Sequence, residues 1–132
     1  MILLDTNVLI HLMQNRPAVV ARIKAAPSNE LAISAVTRYE LEAGLLRMGN
    51  LEARRKIVNS LCRDLDLVPF DETAALEAAR IYADLSAEGR MIGPMDLLIA
   101  GTARSRSAVL VTDNTKEFLR VKHLRCEDWT QP

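Results

Sequence analysis

Met1-Ile2-Leu3-Leu4-Asp5-Thr6-Asn7-Val8-Leu9-Ile10 opens the chain. Its first apolar run is short enough for one buried strand, and a polar triplet, Asp5-Thr6-Asn7, interrupts it at once. Residues 7–13 have room for one or two helical turns. A strand that hands over to a helix in this way belongs to a parallel sheet, and Asp5 then stands at the carboxyl edge of the strand. In open α/β sheets that edge is where the functional crevice lies.

Working outward, the same alternation repeats. Pro17 suits the first position of a helix running to 26. A second apolar run at 31–33 leads into a helical pattern over 35–48, which Gly49-Asn50 stops. Another helix is expected over 51–65, then a strand at 67–68 ended by Pro69. Asp71 caps a helix over 71–88 that Gly89 terminates. Pro94 starts the next, to 105. A strand over 108–112, a helical turn near 115–119 and an edge strand at 124–126 complete the chain. Short apolar strands between helices imply one α/β domain over residues 1–132, a three-layer α/β/α arrangement with a mainly parallel sheet of four to five strands.

The composition agrees with one domain and narrows the function. The 132 residues are 49% hydrophobic but only 4% aromatic, so the core must be aliphatic. Lys+Arg and Asp+Glu are both 17, which excludes a bulk electrostatic nucleic-acid binder and requires any such site to be local. Residues 90–125 hold seven basic side chains against three acids, either a solvated face or a nucleic-acid grip. Cys62 and Cys126 lack the spacing of a zinc motif or disulfide framework and suit a reducing cytoplasm. No basic region precedes the first apolar run and no stretch is long enough to span a membrane, so neither a signal peptide nor a membrane protein is expected.

The candidate chemistry is acidic. Asp5 follows the first strand, and Asp113 and Asn114 follow the 108–112 strand. Asp96 falls in the first turn of the Pro94 helix, and Glu40 lies about two turns beyond the 31–33 strand. Carboxylates gathered in one crevice repel one another and lose hydration, a conflict that a divalent cation removes. Oxygen donors suit Mg²⁺ or Mn²⁺ better than zinc. Each acid also has an ordinary structural role open to it. Asp5 and Asp71 are both placed as helix caps, Asp96 complements a helix dipole, and Thr37-x-x-Glu40 and Asn114-x-x-Glu117 both fit capping boxes. Ser34 reads as a helix cap, and His11 as a packing or surface residue.

Together these stretches resemble the PIN-domain family. The opening run resembles its first acidic motif, and Ser34-Ala35-Val36-Thr37-Arg38-Tyr39-Glu40-Leu41-Glu42-Ala43-Gly44 its second. Gly93-Pro94-Met95-Asp96-Leu97-Leu98-Ile99-Ala100 resembles the third, and Val111-Thr112-Asp113-Asn114-Thr115-Lys116-Glu117-Phe118 the fourth. The run from Gly93 to Arg106 looks most like the VapC-type toxins of type II toxin–antitoxin pairs. The resemblance implies a Mg²⁺- or Mn²⁺-dependent endoribonuclease of the bacterial cytoplasm. It also implies an RNA substrate such as initiator tRNA cut in its anticodon stem-loop, a cognate VapB-type antitoxin, a homodimer, and DNA contact only through the antitoxin complex. Asp5, Glu40, Asp96 and Asn114 would be catalytic, and Asp5, Asp96, Glu40 and Asp113 the metal ligands. Thr6 and Thr112 would support them, and Arg104 and Arg106 would grip RNA phosphates. The family's fourth position maps to Asn114, a neutral oxygen ligand suited to orienting water, with Asp113 its charged neighbour.

Other acidic α/β enzymes fit less well. A haloacid-dehalogenase-type phosphatase needs Asp-x-Asp after its first strand, where this chain has Asp5-Thr6-Asn7. A receiver domain needs an acid after a middle strand, where Pro69-Phe70-Asp71 reads as a cap. Phosphate-binding glycine loops are absent. The remaining alternative is a non-catalytic PIN-like scaffold that binds RNA or a protein partner.

Overall fold

In the computed structural model, residues 1–49 and 51–131 are described. The elements run β1 (Ile2–Leu4), α1 (Thr6–Met13), α2 (Pro17–Ala25), β2 (Leu31–Ser34), α3 (Ala35–Arg47), α4 (Glu52–Arg63), β3 (Asp66–Val68), α5 (Glu72–Glu88), α6 (Pro94–Ser105), β4 (Val109–Val111), α7 (Thr115–Phe118) and β5 (Arg125–Glu127). Every strand pairing is parallel, in the order β3-β2-β1-β4-β5. The expected elements are present with ends shifted by one or two residues. Of the expected Gly49-Asn50 stop, Asn50 lies outside the described residues.

Strand side chains alternate between the two faces, as the pleat requires. Leu3, Ala32 and Leu110 point into one core with Ile81, Leu85, Ile99, Ala103 and Phe118 from α5, α6 and α7. Leu4, Ile33 and Val111 point into the other with Val8, Val19, Leu41, Leu45, Val58 and Trp129. Two covered faces explain why the strands read as unbroken apolar runs.

Two features of the fold bear directly on the crevice. The first is the switch point. The chain leaves β1 towards β2 on one side and returns to β4 on the other, so the β1/β4 boundary opens a crevice at the strands' carboxyl ends. The second is the close approach of α5 and α6. A Cβ on Gly101 would stand 2.6 Å from Ala78 Cβ and 2.8 Å from Ala78 Cα and N. Only glycine lets the two helices meet this closely, and α6 carries Asp96 in its first turn.

Candidate active site

Asp5 is the anchor of the site. It leaves β1, caps α1, and is 2% exposed. Its Oδ1 accepts the Thr6 N–H at 2.8 Å and its Oδ2 accepts the Thr112 hydroxyl at 2.8 Å. Its own N–H donates to Val111 O at 2.9 Å, so β1 and β4 stay joined just past their ends. Asp5 therefore caps a helix and also presents a buried carboxyl at the switch point. Burial raises its pKa. The bonds from Thr112 and Thr6 oppose that rise, and the nearby charges of Glu40 and Asp113 add to it.

Glu40 reaches the same edge because Ser34 does the capping. Ser34 Oγ accepts the Thr37 N–H at 2.9 Å, which places Thr37 in the first turn of α3. The Thr37-x-x-Glu40 capping box therefore does not form. Glu40 Oε1 instead accepts the Thr6 hydroxyl at 2.6 Å, and that hydroxyl lies 3.1 Å from Thr37 Oγ1.

Asp96 completes the centre from α6. Burial pushes its pKa up to about 7, helped by the charge of Asp5, a hydrogen-bonding contact with Glu117, and the charges of Glu117 and Glu40. Glu117 thus joins the site, although sequence reasoning saw it only as one half of an Asn114-x-x-Glu117 capping box. That box does not form either. The Asn114 side chain caps nothing, and its Nδ2 donates to Glu117 Oε2 at 3.0 Å. The signal was the spacing itself, which puts Asn114 and Glu117 on one face of a helical turn.

Asp113 and the two arginines at the end of α6 make contacts of their own. Asp113 Oδ2 lies 2.7 Å from His11 Nε2 and its Oδ1 3.4 Å from Asn7 Nδ2, both on α1. Arg104 and Arg106 lie at the far end of α6, about 12 Å along the helix from Asp96 for the nearer one. Arg104 Nε donates to Glu77 Oε2 at 2.6 Å and Arg106 Nη2 to Asp71 Oδ2 at 2.9 Å. Lys122 pairs with Glu88, and Arg120 donates to Met91 O. Four of the seven basic side chains between residues 90 and 125 thus make bonds within the chain.

Among the described residues, no three His, Cys, Asp or Glu side chains stand together as a finished ion cage. A hard cation does not require one. Mg²⁺ commonly binds through one or two carboxylates and keeps its remaining waters. The donors here are oxygens, and burial and mutual repulsion drive Asp5 and Asp96 towards the protonated form. A site whose carboxyls are strained for want of positive charge fits a divalent cation.

This strain has a measurable pH signature. The Asp96 pKa is raised in the folded state, so its contribution to stability is full below the ordinary value of 3.8 and is lost as pH rises through about 7. Without a divalent cation, the melting temperature should fall between pH 5.5 and pH 8. After allowance for screening of a half-exposed group, the loss is on the order of 1–2 kcal/mol. Millimolar Mg²⁺ should raise the melting temperature at pH 8 more than at pH 5.5. Thermal denaturation at the two pH values, with EDTA or Mg²⁺, checks this; a Mg²⁺ effect that is larger at pH 5.5 would contradict it.

Comparison with known proteins places this geometry. The PIN domain family model matches residues 2–124. A curated relative, the tRNA(fMet)-specific endonuclease VapC of Shigella flexneri, is 38% identical over 128 residues, 97% of either chain. The solved structure of VapBC-1 from nontypeable Haemophilus influenzae superposes with a TM-score of 0.90 at 36% identity, covering 99% of this chain and 100% of that one. DNA-bound VapBC from Salmonella typhimurium gives 0.91 at 34% identity, covering 97% of each.

Proposed function

This chain belongs to the PIN domain family, within its VapC branch, and from that premise we propose that it is the toxin of a toxin–antitoxin pair, a divalent-cation-dependent endoribonuclease acting on initiator tRNA. The observation that carries the reading is the meeting of Asp5 and Asp96 at the β1/β4 switch point with Glu40 and Glu117 beside them, where burial and like charge raise the pKa of both aspartates.

Asp5 and Asp96 would hold Mg²⁺ or Mn²⁺, with Glu40 and Glu117 at its flanks. When bound, the cation supplies charge neutralisation at the phosphodiester and acidifies a water for attack. Thr112 and the Thr6 N–H hold both Asp5 oxygens in place. The Thr6 hydroxyl orients Glu40, and Asn114 orients Glu117. Glu40, free of any capping duty, is placed to take the proton of the attacking water. In-line attack on phosphorus breaks the P–O3′ bond, the proton passes to the leaving 3′ oxygen, and the ends are a 3′-hydroxyl and a 5′-phosphate.

A groove of about 590 Å³ runs from this site between α1, α3 and α4. Apolar side chains such as Met13, Leu41, Leu45 and Val58 line it, Thr6 and Glu40 stand among its walls, and Arg47 and Arg54 also face it. It suits an apolar peptide segment of a cognate VapB-type antitoxin ending at the carboxylates. DNA contact would come through that complex. Exposed Tyr39 and Leu46 on α3, outside that groove, support a homodimer through this helix. Among the described residues no helix is long and apolar enough to cross a membrane.

The test is cleavage of purified initiator and elongator tRNAs with Mg²⁺, Mn²⁺ or EDTA, followed by end analysis. One cut in the initiator tRNA anticodon stem-loop, cation-dependent and with a 5′-phosphate end, is the expected result. Products with 2′,3′-cyclic phosphates would overturn the mechanism. Binding without cutting of any RNA would leave a non-catalytic scaffold.

A further inference from the structure

Asp113 and His11 form a close side-chain tie between the β4–α7 connection and the body of α1, at 2.7 Å. From it we infer that His11 is a positioning residue: through Asp113 it sets the 112–114 connection that presents Asn114 to Glu117. The inference rests on the nuclease reading above.

The connection is held at four places, the first being the Thr112 hydroxyl, which donates to Asp5 Oδ2 at 2.8 Å. Thr112 N–H donates to Glu127 O at 2.9 Å, which ties its start to β5. Asn114 N–H donates to Thr112 Oγ1 at 3.0 Å, which closes the turn on itself. Asp113, between them, is held by α1. The helix is itself a fixed reference, because Val8 and Leu9 N–H both donate to Asp5 O at its start. His11 therefore adds, at residue 113, a second link to the one Thr112 makes with Asp5.

The imidazole is committed to this one bond. A carboxylate only accepts, so Nε2 carries the proton and donates. Nδ1 is buried with no hydrogen-bond partner. Nothing else orients the ring by hydrogen bonding, and Asn7 at 3.4 Å is too long to replace it. The bond turns the Asp113 carboxylate towards α1, while its neighbour Asn114 faces Glu117.

Without the tie, the start of the connection stays anchored to β5 and the cores are untouched. Asn114 keeps its link to Asp5 through Thr112 and loses the anchor at residue 113 that fixes the direction in which the connection leaves it. Partners of this indirect kind typically change activity by about 10–100-fold. His11→Phe keeps an aromatic ring but has no donor. It should lower kcat by about 10–30-fold, leave KM within about 2-fold, and leave the melting temperature nearly unchanged. His11→Gln places an amide nitrogen where Nε2 stands and should recover most of kcat.

Hydrogen exchange of the Asn114 amide gives a second readout that does not depend on cleavage. Protection should fall in His11→Phe and persist in His11→Gln. Wild-type kcat and unaltered Asn114 protection in His11→Phe would overturn the inference and leave His11 a packing residue. A wild-type protein that cuts no RNA would overturn the nuclease reading, and the exchange experiment would still decide whether His11 positions the connection.

Discussion

Asp96→Asn should lower the rate of RNA cleavage by on the order of 10³-fold or more, with the fold intact. Asparagine keeps the shape and one oxygen of the side chain but removes the charge a hard cation needs. In the wild type, burial and the charges of Asp5, Glu117 and Glu40 already push the Asp96 pKa up to about 7. The neutral variant relieves that repulsion. Near pH 8 and without a divalent cation, its melting temperature should equal or exceed the wild-type value, while its response to Mg²⁺ shrinks. Lost activity with gained stability separates a functional carboxylate from a merely structural one, whose removal would lower both. Asp5→Asn should be equally inactive but less tolerant, because that side chain is buried and bonded at both oxygens. Parallel cleavage and denaturation measurements settle it, and an Asp96→Asn protein that cuts at the wild-type rate would remove Asp96 from the mechanism.

Gly101→Val should produce the largest loss of stability expected of any single change away from the carboxylates. The first added carbon would stand 2.6 Å from Ala78 Cβ and 2.8 Å from its backbone. No rotamer of a neighbour can relieve a contact with backbone, so α6 must move off α5. Overpacking of this kind costs about 3 kcal/mol or more, roughly 10 °C for a domain of this size. Gly101→Ala should cost less, since better helix propensity returns about 1 kcal/mol. The displacement should also reach the site, because α6 carries Asp96 only about one and a half turns before Gly101. Reduced cleavage by the fraction that remains folded is therefore expected. Denaturation with activity measured below the transition checks both parts, and an unchanged midpoint would show that α5 and α6 can separate freely.

The order of elements and the parallel sheet were legible in the chain because both faces of the sheet are covered. Residues 2–4, 31–33 and 108–112 are apolar without alternation, and capping signals at Asp71, Gly89 and Pro94 mark helix ends locally. Asp5, Glu40 and Asp96 stood out because two follow strands or open a helix, and because their surrounding motifs resemble a family. Other assignments failed where a side chain had two equally good local explanations. Thr37 and Glu40 have capping-box spacing, yet Ser34, one turn earlier, takes the cap. Asn114 and Glu117 have the same spacing, yet they bond to each other side chain to side chain.

By itself, then, the sequence determined which elements form and which carboxylates stand at strand ends, since these depend on hydrophobic period and on neighbours within a few residues. Tertiary structure alone decided which of two adjacent residues faces the site. Asp113 differs from Asn114 by one position, and its direction is set by His11, 102 positions away. It likewise decided the fate of Arg104 and Arg106, whose partners Glu77 and Asp71 come from α5 and its N-cap. Charge pairing between distant segments depends on where packing brings them, and no local pattern encodes that.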